Sequence, residues 1–221
     1  MNKLKIISSA AVAAAAALLN LGLTFASASF PEPPAESITA KSESRTAVFA
    51  GGCFWGVEGV FERLNGVVDV ESGYSGGEEK TARYELVSMG NTGHAETVRI
   101  VYDPSRVSFG TLLKVFFSVA HDPTQLNSQG PDVGTQYRSA VFYATAEQKR
   151  VVEEYIRALD KSGVFKKKIV TQVVPLKEFF PAEDYHQDFV EKNPNYPYVV
   201  YWDLPKIAHL EKEFPDLLVR P

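Results

Sequence analysis

Cys53, the only cysteine of this 221-residue chain, lies in the stretch GGCFWGVEG. The preceding TAVFA has the composition of a short buried strand, and Gly51 and Gly52 permit a tight turn. Beyond the turn, apolar residues recur at the spacing of one helical face that ends near Asn65-Gly66: Phe54, Val57, Phe61 and Leu64. This pattern predicts Cys53 at a helix N-terminus, where the helix dipole lowers a thiol pKa and favours the nucleophilic thiolate. The alternative is a buried, unreactive thiol.

The stretch GHAETVRIVYDP predicts a strand with a carboxylic acid on its apolar face. Alternation places Glu96 on the same face as Val98, Ile100 and Tyr102. A carboxyl group on that face is desolvated, so its pKa rises and it can stay protonated near neutral pH as a general acid. The pattern fits equally well a carboxylate that pairs with an arginine at the end of the sheet.

A third polar cluster is NSQGPDVGTQYRSAVFYAT. Gly130, Pro131 and Gly134 indicate a loop, and Tyr137 opens the alternating pattern of the strand that follows. The loop therefore brings Asp132 and Tyr137 together. Taken singly, Asp132 is typical of a turn and Tyr137 of core packing.

The four histidines do not have the spacing of a metal site, so no metal is predicted. His94 has the same strand parity as Glu96 and could act as a base. The others are interpreted as structural: His121 before Asp-Pro, His186 in a predicted helix AEDYHQDF, and His209 in a polar tail.

Composition indicates a globular protein, with 45% hydrophobic and 23% charged residues. The net charge of −4 comes without a basic stripe, which disfavours nucleic-acid binding. Ser108 and the pair Thr145 and Gln148 predict helix starts, the second helix running to Gly163, and KIVTQVVPL predicts a strand. Strands and helices that do not strictly alternate predict an α+β fold, with helices packed on a mixed or mostly antiparallel sheet.

The N-terminal residues have the pattern of a secretory signal peptide. Lys3 and Lys5 precede an apolar run that ends in Ala-Ser-Ala, which predicts cleavage after residue 28 and export to the periplasm or another extracytoplasmic compartment, without stable membrane insertion. An uncleaved membrane anchor is the alternative. Residues 29–44, rich in Pro, Ser and Glu, predict a disordered linker, and residues 45–221 predict one folded domain.

Four motifs, in order along the domain, resemble those of the A-type peptide methionine sulfoxide reductases: GCFWG, GNTGHAETVRIVYDP, SQGPDVGTQYRSAVF and AEDYHQDF. The resemblance implies a core related to the ferredoxin-like α/β plait, with residues 45–221 as the catalytic domain. It also implies reduction of the S epimer of methionine sulfoxide, free or protein-bound, as in repair of oxidised proteins, without a metal or organic cofactor.

The resemblance further implies a role for each reacting group. The Cys53 thiolate attacks the sulfoxide sulfur and becomes a sulfenic acid, while Glu96 protonates the sulfoxide oxygen. Tyr84 and Tyr137 hydrogen-bond that oxygen, and Asp132 supports the polar network. Methionine is released as the product.

Phe54 and Trp55 are implied to form the apolar pocket for the substrate methyl group. Two features depart from the family pattern. Tyr84 follows Thr-Ala-Arg, whereas the family commonly has Asn-Pro-x-Tyr, and the C-terminal KNPNYPYVVYWDLPK has no resolving cysteine. The chain thus resembles the single-cysteine branch, which needs an external thiol: a thioredoxin- or glutaredoxin-like protein or a small thiol.

Two other functions remain open from the residues themselves. A Cys-His hydrolase would use His94 as its base and an oxyanion hole at the Gly52-Cys53 turn. A non-catalytic peptide-binding module would use Phe54 and Trp55 and would tolerate loss of the thiol.

Overall fold

The computed structural model describes residues 30–36 and 45–219. In this part of the chain the strands are β1 (Arg45–Gly51), β2 (Val67–Ser75), β3 (Ala95–Tyr102), β4 (Ser128–Gln129), β5 (Asp132–Val133), β6 (Ser139–Tyr143), β7 (Gln172–Pro175) and β8 (Phe180–Pro181). The α-helices are α1 (Phe54–Phe61), α2 (Tyr84–Val87), α3 (Phe109–Val115), α4 (Ala146–Ser162), α5 (Phe189–Lys192) and α6 (Leu204–Glu213).

Within the described residues, six strands form one sheet in the order β7-β6-β1-β3-β2-β8. Every neighbouring pair is antiparallel except β6 and β7. The prediction of an α+β fold with a mixed or mostly antiparallel sheet is confirmed. The chain order β1-α1-β2-β3-α3-β6, with these strands arranged β6-β1-β3-β2, is that of the ferredoxin-like plait.

The main core lies on the face of the sheet that α1, α3 and α4 cover. Phe49 of β1 is at its centre, where its ring stacks on Phe116 at a centroid distance of 4.8 Å and contacts Phe61 and Phe109. The opposite face has a smaller apolar cluster around Phe142, against which Phe179 packs. The site-bearing segment after β1 is therefore attached to the most deeply buried strand.

Helix starts agree closely with the sequence patterns. The Ser108 hydroxyl accepts a hydrogen bond from the Thr111 N–H (2.9 Å), and Thr145 does the same for Gln148 (3.1 Å). α4 ends at Gly163, which has the left-handed conformation expected of a C-terminal cap (φ 69°).

Three predicted elements differ from the structure. α1 ends at Phe61 because the chain then turns so that Leu64, still buried, forms a bridge with Leu218. AEDYHQDF is not a helix, since Asp188 has a left-handed backbone (φ 53°) between a short 3₁₀ turn and α5. His209 lies on α6 rather than in a tail.

Residues 30–36 have no helix or strand but contact the domain at several points. The Phe30 ring packs edge-on against Phe165, the Gly110 N–H donates to the Glu36 carboxylate (2.7 Å), and Arg150 donates to the Ala35 carbonyl (3.0 Å). This part of the predicted linker is therefore held against α3 and α4. The other residues of the predicted 29–44 linker lie outside the described part of the chain.

No helix among the described residues is long and apolar enough to cross a membrane. The predicted signal peptide, residues 1–28, lies outside the described residues.

Candidate active site

The predicted site residues line one cavity of about 190 Å³. Its walls are Cys53, Phe54, Trp55, Tyr84, Glu96, Asp132, Tyr137, Tyr196 and Tyr198. The structure thus brings together all seven residues singled out in the sequence and adds two tyrosines. A larger cavity of about 570 Å³, between Glu36, Arg45 and α4, has no thiol in its walls.

Cys53 is the N-terminal cap residue of α1, as the sequence predicts, and its side chain is buried. It follows Gly52, which has a positive φ of 91°. A Cβ at Gly52 would lie 2.5 Å from Gln129 side-chain carbons, so only glycine fits this turn. The turn directs the thiol into the cavity beside the loop that carries Asp132.

The prediction of a lowered thiol pKa is wrong. Burial raises the pKa of Cys53 well above its ordinary value, and the negative charges of Glu96 and Asp203 raise it further. The Lys206 ammonium and the Trp55 backbone N–H lower the pKa, but by less. The eight-residue helix therefore does not outweigh desolvation, and the resting thiol keeps its proton.

Glu96 lies on the buried face of β3 with Val98, Ile100 and Tyr102, as the alternation predicts. Its Oε2 accepts a hydrogen bond from the Phe54 backbone N–H (3.1 Å). Burial raises the pKa of Glu96 to about 8, although the Phe54 N–H opposes the shift. The alternative prediction is an ion pair between Glu96 and an arginine. Arg99, the arginine on the same strand, pairs with Glu71 instead. Glu96 is therefore a carboxylic acid at neutral pH.

Two phenols and a carboxylate complete the polar wall. Tyr137 is the last residue of a 3₁₀ turn, not the first residue of the strand, which begins at Ser139. Burial raises the pKa of Tyr137 and brings that of Tyr84 to about 12, so both remain hydrogen-bond donors. Asp132 Oδ2 accepts a hydrogen bond from the Tyr198 hydroxyl.

Tyr84 is held at the start of α2 by the AEDYHQDF segment. Glu183 accepts a hydrogen bond from the Tyr84 backbone N–H through one oxygen and from the Tyr74 hydroxyl through the other, both at 2.9 Å. The Tyr84 ring lies 4.5 Å from the His186 ring. Glu183, 99 positions further along the chain, thus positions Tyr84, although this chain lacks the Asn-Pro pair that commonly precedes this tyrosine in the family.

The apolar wall is aromatic. The Trp55 indole stacks on Phe189 at 3.7 Å with an interplanar angle of 8°, and its N–H donates to His186 Nδ1 (3.1 Å). Phe54 is buried and packs against Tyr74 and His186. Trp55 is held rigidly at the edge of the cavity, while Phe54 joins the cavity to the core.

Comparisons with known proteins agree with this site. The family model for "Peptide methionine sulfoxide reductase" matches residues 45–217. The chain belongs to this family. Two relatives named "Peptide methionine sulfoxide reductase MsrA 2" are similar to it. The protein from Mesorhizobium japonicum is 58% identical over 79% of this chain and 89% of its own, and the one from Synechocystis is 56% identical over 82% and 85%.

Solved structures show the same fold. Reduced Mxr1 from Saccharomyces cerevisiae has a TM-score of 0.63 at 34% identity, over 72% of this chain and 91% of its own. Methionine sulfoxide reductase A of Corynebacterium diphtheriae has a TM-score of 0.61 at 36% identity, over 72% and 79%. The chain is thus a peptide-methionine (S)-S-oxide reductase by family, and the A-type resemblance is confirmed.

His94 does not line the cavity, so it is not placed to act as the base of a Cys-His hydrolase. Its Nδ1 accepts from the Gly77 N–H (3.3 Å), and its Nε2 contacts the Glu78 carbonyl (3.1 Å). Among the described residues, no group of three or more His, Cys, Asp or Glu could hold a metal ion.

Sequence reasoning missed a charged pair behind the thiol. Asp203 is fully buried, and the Lys206 ammonium lies 3.4 Å from its Oδ1. A Cβ at Gly56, in the first turn of α1, would lie 2.1 Å from Asp203 Oδ1 and 2.8 Å from Lys206 Nζ. The aromatic run NPNYPYVVYWDLPK was the available signal, since it holds Tyr196, Tyr198 and this pair.

Proposed function

We propose that the enzyme reduces methionine S-sulfoxide, free or within proteins, by attack of Cys53 on the sulfoxide sulfur with Glu96 as the proton donor. The observation that carries this proposal is the cavity that a protonated carboxyl group and a buried thiol share. A sulfoxide oxygen leaves poorly unless it is protonated, so a neutral acid beside the thiol is what the reaction needs.

The chemical step balances without another reagent. The Cys53 sulfur attacks the sulfoxide sulfur, the S–O bond of the substrate breaks, and the oxygen is transferred to Cys53 as a sulfenic acid. The sulfoxide is reduced to the thioether and Cys53 is oxidised. Glu96 gives its proton to the oxygen and regains one from the thiol, so the carboxyl group is neutral again after turnover.

Tyr84 and Tyr137 are proposed to hold the sulfoxide oxygen through their hydroxyl groups while its negative charge develops. Asp132, fixed by Tyr198, orients this polar wall. Trp55 and Phe54 receive the methyl group, because stacking on Phe189 keeps the indole in place. A cavity that holds the oxygen through polar groups and the methyl group through aromatic groups would select one sulfoxide epimer.

Regeneration is proposed to use an external thiol, since the chain has one cysteine and cannot form an intramolecular disulfide. The donor would be a thioredoxin- or glutaredoxin-like protein or a small thiol. No prosthetic group is needed for either step. Export to the periplasm or another extracytoplasmic compartment is proposed from the leader pattern of residues 1–28 alone.

The test is reduction of a methionine sulfoxide peptide, prepared separately as its S and R epimers, with dithiothreitol as reductant. Mass spectrometry should show loss of one oxygen, ~16 daltons, from the S epimer only. A folded Cys53→Ser variant should not turn over, because an alcohol remains protonated and is a poor nucleophile toward sulfur. Reduction by this variant, or release of an acyl group from an ester substrate, would overturn the proposal.

A further inference from the structure

The exposed large apolar side chains are concentrated beside the active site. Of the ten that the described residues contain, five belong to two segments that contribute to the cavity wall: Val133, Tyr196, Val200, Tyr201 and Trp202. We call these five residues the aromatic rim. Val133 follows Asp132, and the other four flank Tyr198. Exposed apolar patches of this kind mark interaction surfaces.

The two segments contact each other directly. The Trp202 ring lies over Gly130 in the β4–β5 hairpin, where a Cβ would be 3.4 Å from two of its ring carbons. The Tyr198 hydroxyl joins the same hairpin through Asp132, and Tyr196 contacts Trp55 edge-on. Through Trp202 and Tyr196 the aromatic rim therefore adjoins the wall that holds the reacting groups.

Charged side chains are nearly absent from both segments. Residues 193–202 contain none, and Asp132 is the only one between Asp122 and Arg138, in a chain with 23% charged residues. Tyr201 is 73% exposed, Val133 79% and Trp202 45%. A surface of this composition fits an uncharged apolar partner rather than an acidic or basic one.

The size of the cavity indicates where that partner lies. About 190 Å³ is less than the ~300–1,000 Å³ of sites that enclose a whole small ligand. It can take the side chain of methionine sulfoxide, while the main chain and the neighbouring residues of a peptide must lie outside, on the surrounding surface. The aromatic rim forms part of that surface.

We infer that the aromatic rim binds the apolar residues that flank methionine sulfoxide in an unfolded polypeptide. The enzyme would then prefer methionine sulfoxide within apolar sequences, which are buried in a folded protein and become exposed when oxidative damage unfolds it. This inference rests on the proposed function. It commits to the substrate polypeptide as the occupant, because the rim adjoins the cavity that takes the oxidised side chain. Aromatic side chains offer large contact areas and dominate such interfaces.

The test compares three substrates with dithiothreitol as reductant: free methionine sulfoxide, Ser-Gly-Met(O)-Gly-Ser and Leu-Phe-Met(O)-Phe-Leu. Tyr201→Ser and Trp202→Ser should each lower kcat/KM for the apolar peptide by about tenfold, through KM, and change it less than twofold for the free amino acid. Trp202→Phe should restore most of the loss. Val68→Ser, at an exposed valine of β2, is the matched control and should behave as wild type.

A second measurement does not depend on turnover. Fluorescence anisotropy of the two labelled peptides with the inactive Cys53→Ser protein should show tighter binding of the apolar peptide. This difference in affinity should be lost in the double variant that carries both Cys53→Ser and Tyr201→Ser. If the wild-type enzyme fails to reduce free methionine sulfoxide, the proposed function is wrong. If it reduces free methionine sulfoxide but shows no preference between the two peptides, only the inference about the aromatic rim is wrong.

Other outcomes would also overturn it. An equal loss on all three substrates would give Trp202 a purely structural role through Gly130. A loss seen only when thioredoxin replaces dithiothreitol would make the rim the docking surface of the reductant. If wild type elutes as a dimer in size-exclusion chromatography and Tyr201→Ser or Trp202→Ser elutes as a monomer, the aromatic rim would be an interface between two copies of this chain.

Discussion

The Phe54 backbone N–H donates a hydrogen bond to Glu96 Oε2 at 3.1 Å, which joins the first residue of α1 to the second residue of β3. Because Phe54 directly follows Cys53, this bond fixes the acid relative to the nucleophile through a single residue. The bond stabilises the ionised carboxyl group, yet burial still raises the pKa of Glu96 to about 8. Position is thus set by the backbone and protonation by desolvation.

Glu96→Gln keeps this hydrogen bond but cannot donate a proton to a leaving oxygen as an acid. We expect the first chemical step to slow by ~10²-fold or more, with little change in binding. Single-turnover rates with excess enzyme measure this step, and a rate near that of wild type would remove Glu96 from the acid role.

The pH dependence of the same step follows from the raised pKa. Glu96 is protonated below pH 8 and loses its proton above it, while the Cys53 thiol titrates at still higher pH. The wild-type rate should therefore be level below pH 8 and fall above it. A rate that instead increases through pH 8 would mean that thiolate formation, not the acid, limits the step.

The Asp203 and Lys206 pair should tune the thiol in opposite directions. Asp203→Asn removes a negative charge and should lower the pKa of Cys53, whereas Lys206→Met removes a positive charge and should raise it. Lys206→Arg keeps the charge and is the control. The rate of alkylation by iodoacetamide as a function of pH reports these changes, and shifts in the same direction for both variants would indicate a packing defect instead.

Much of the site could be predicted because it depends on local periodicity. The two-residue repeat of β3 places Glu96 on the buried face, and the glycine turn places Cys53 at the start of α1. The thiol pKa could not be predicted in the same way. It depends on burial and on Asp203, which lies 150 positions further along the chain, and no local pattern reports that contact.

The AEDYHQDF segment shows how a tertiary contact overrides a helical pattern. The Gln187 side chain accepts from the Ser72 N–H (2.9 Å) and donates to the Ser72 carbonyl (3.0 Å), as a neighbouring strand would. Gln187 therefore has an extended backbone, and Asp188 turns the chain into α5. The side chain that prevents a continuous helix here also anchors the segment that holds Tyr84.

Glu58, on the buried side of α1, should make the stability of the fold depend on pH. Burial and the nearby Glu62 raise its pKa from 4.5 to about 8. Between these values the unfolded chain releases a proton that the folded chain keeps, so the free energy of unfolding falls as pH rises, by up to ~1.4 kcal/mol per pH unit. This loss should be complete once the pH passes about 8.

Glu58→Gln removes that titration and should make the decline between pH 5 and 8 shallower, while the buried Glu96 still contributes to it. Urea unfolding at several pH values measures the slope, with the exposed Glu211→Gln as the matched control that should retain the wild-type slope. An unchanged slope in Glu58→Gln would mean that this carboxyl group is ionised in the folded protein.

The single cysteine leads to a last prediction about the product state of the enzyme. Without reductant, each molecule should form one methionine and stop, because the Cys53 sulfenic acid finds no second thiol in the chain. Intact mass spectrometry should then show a gain of one oxygen, ~16 daltons, and a reaction with dimedone. Glutathione should convert this state to a mixed disulfide, which a glutaredoxin- or thioredoxin-like protein can reduce. An unmodified Cys53 after stoichiometric formation of methionine would place the source of electrons elsewhere and exclude the sulfenic acid mechanism.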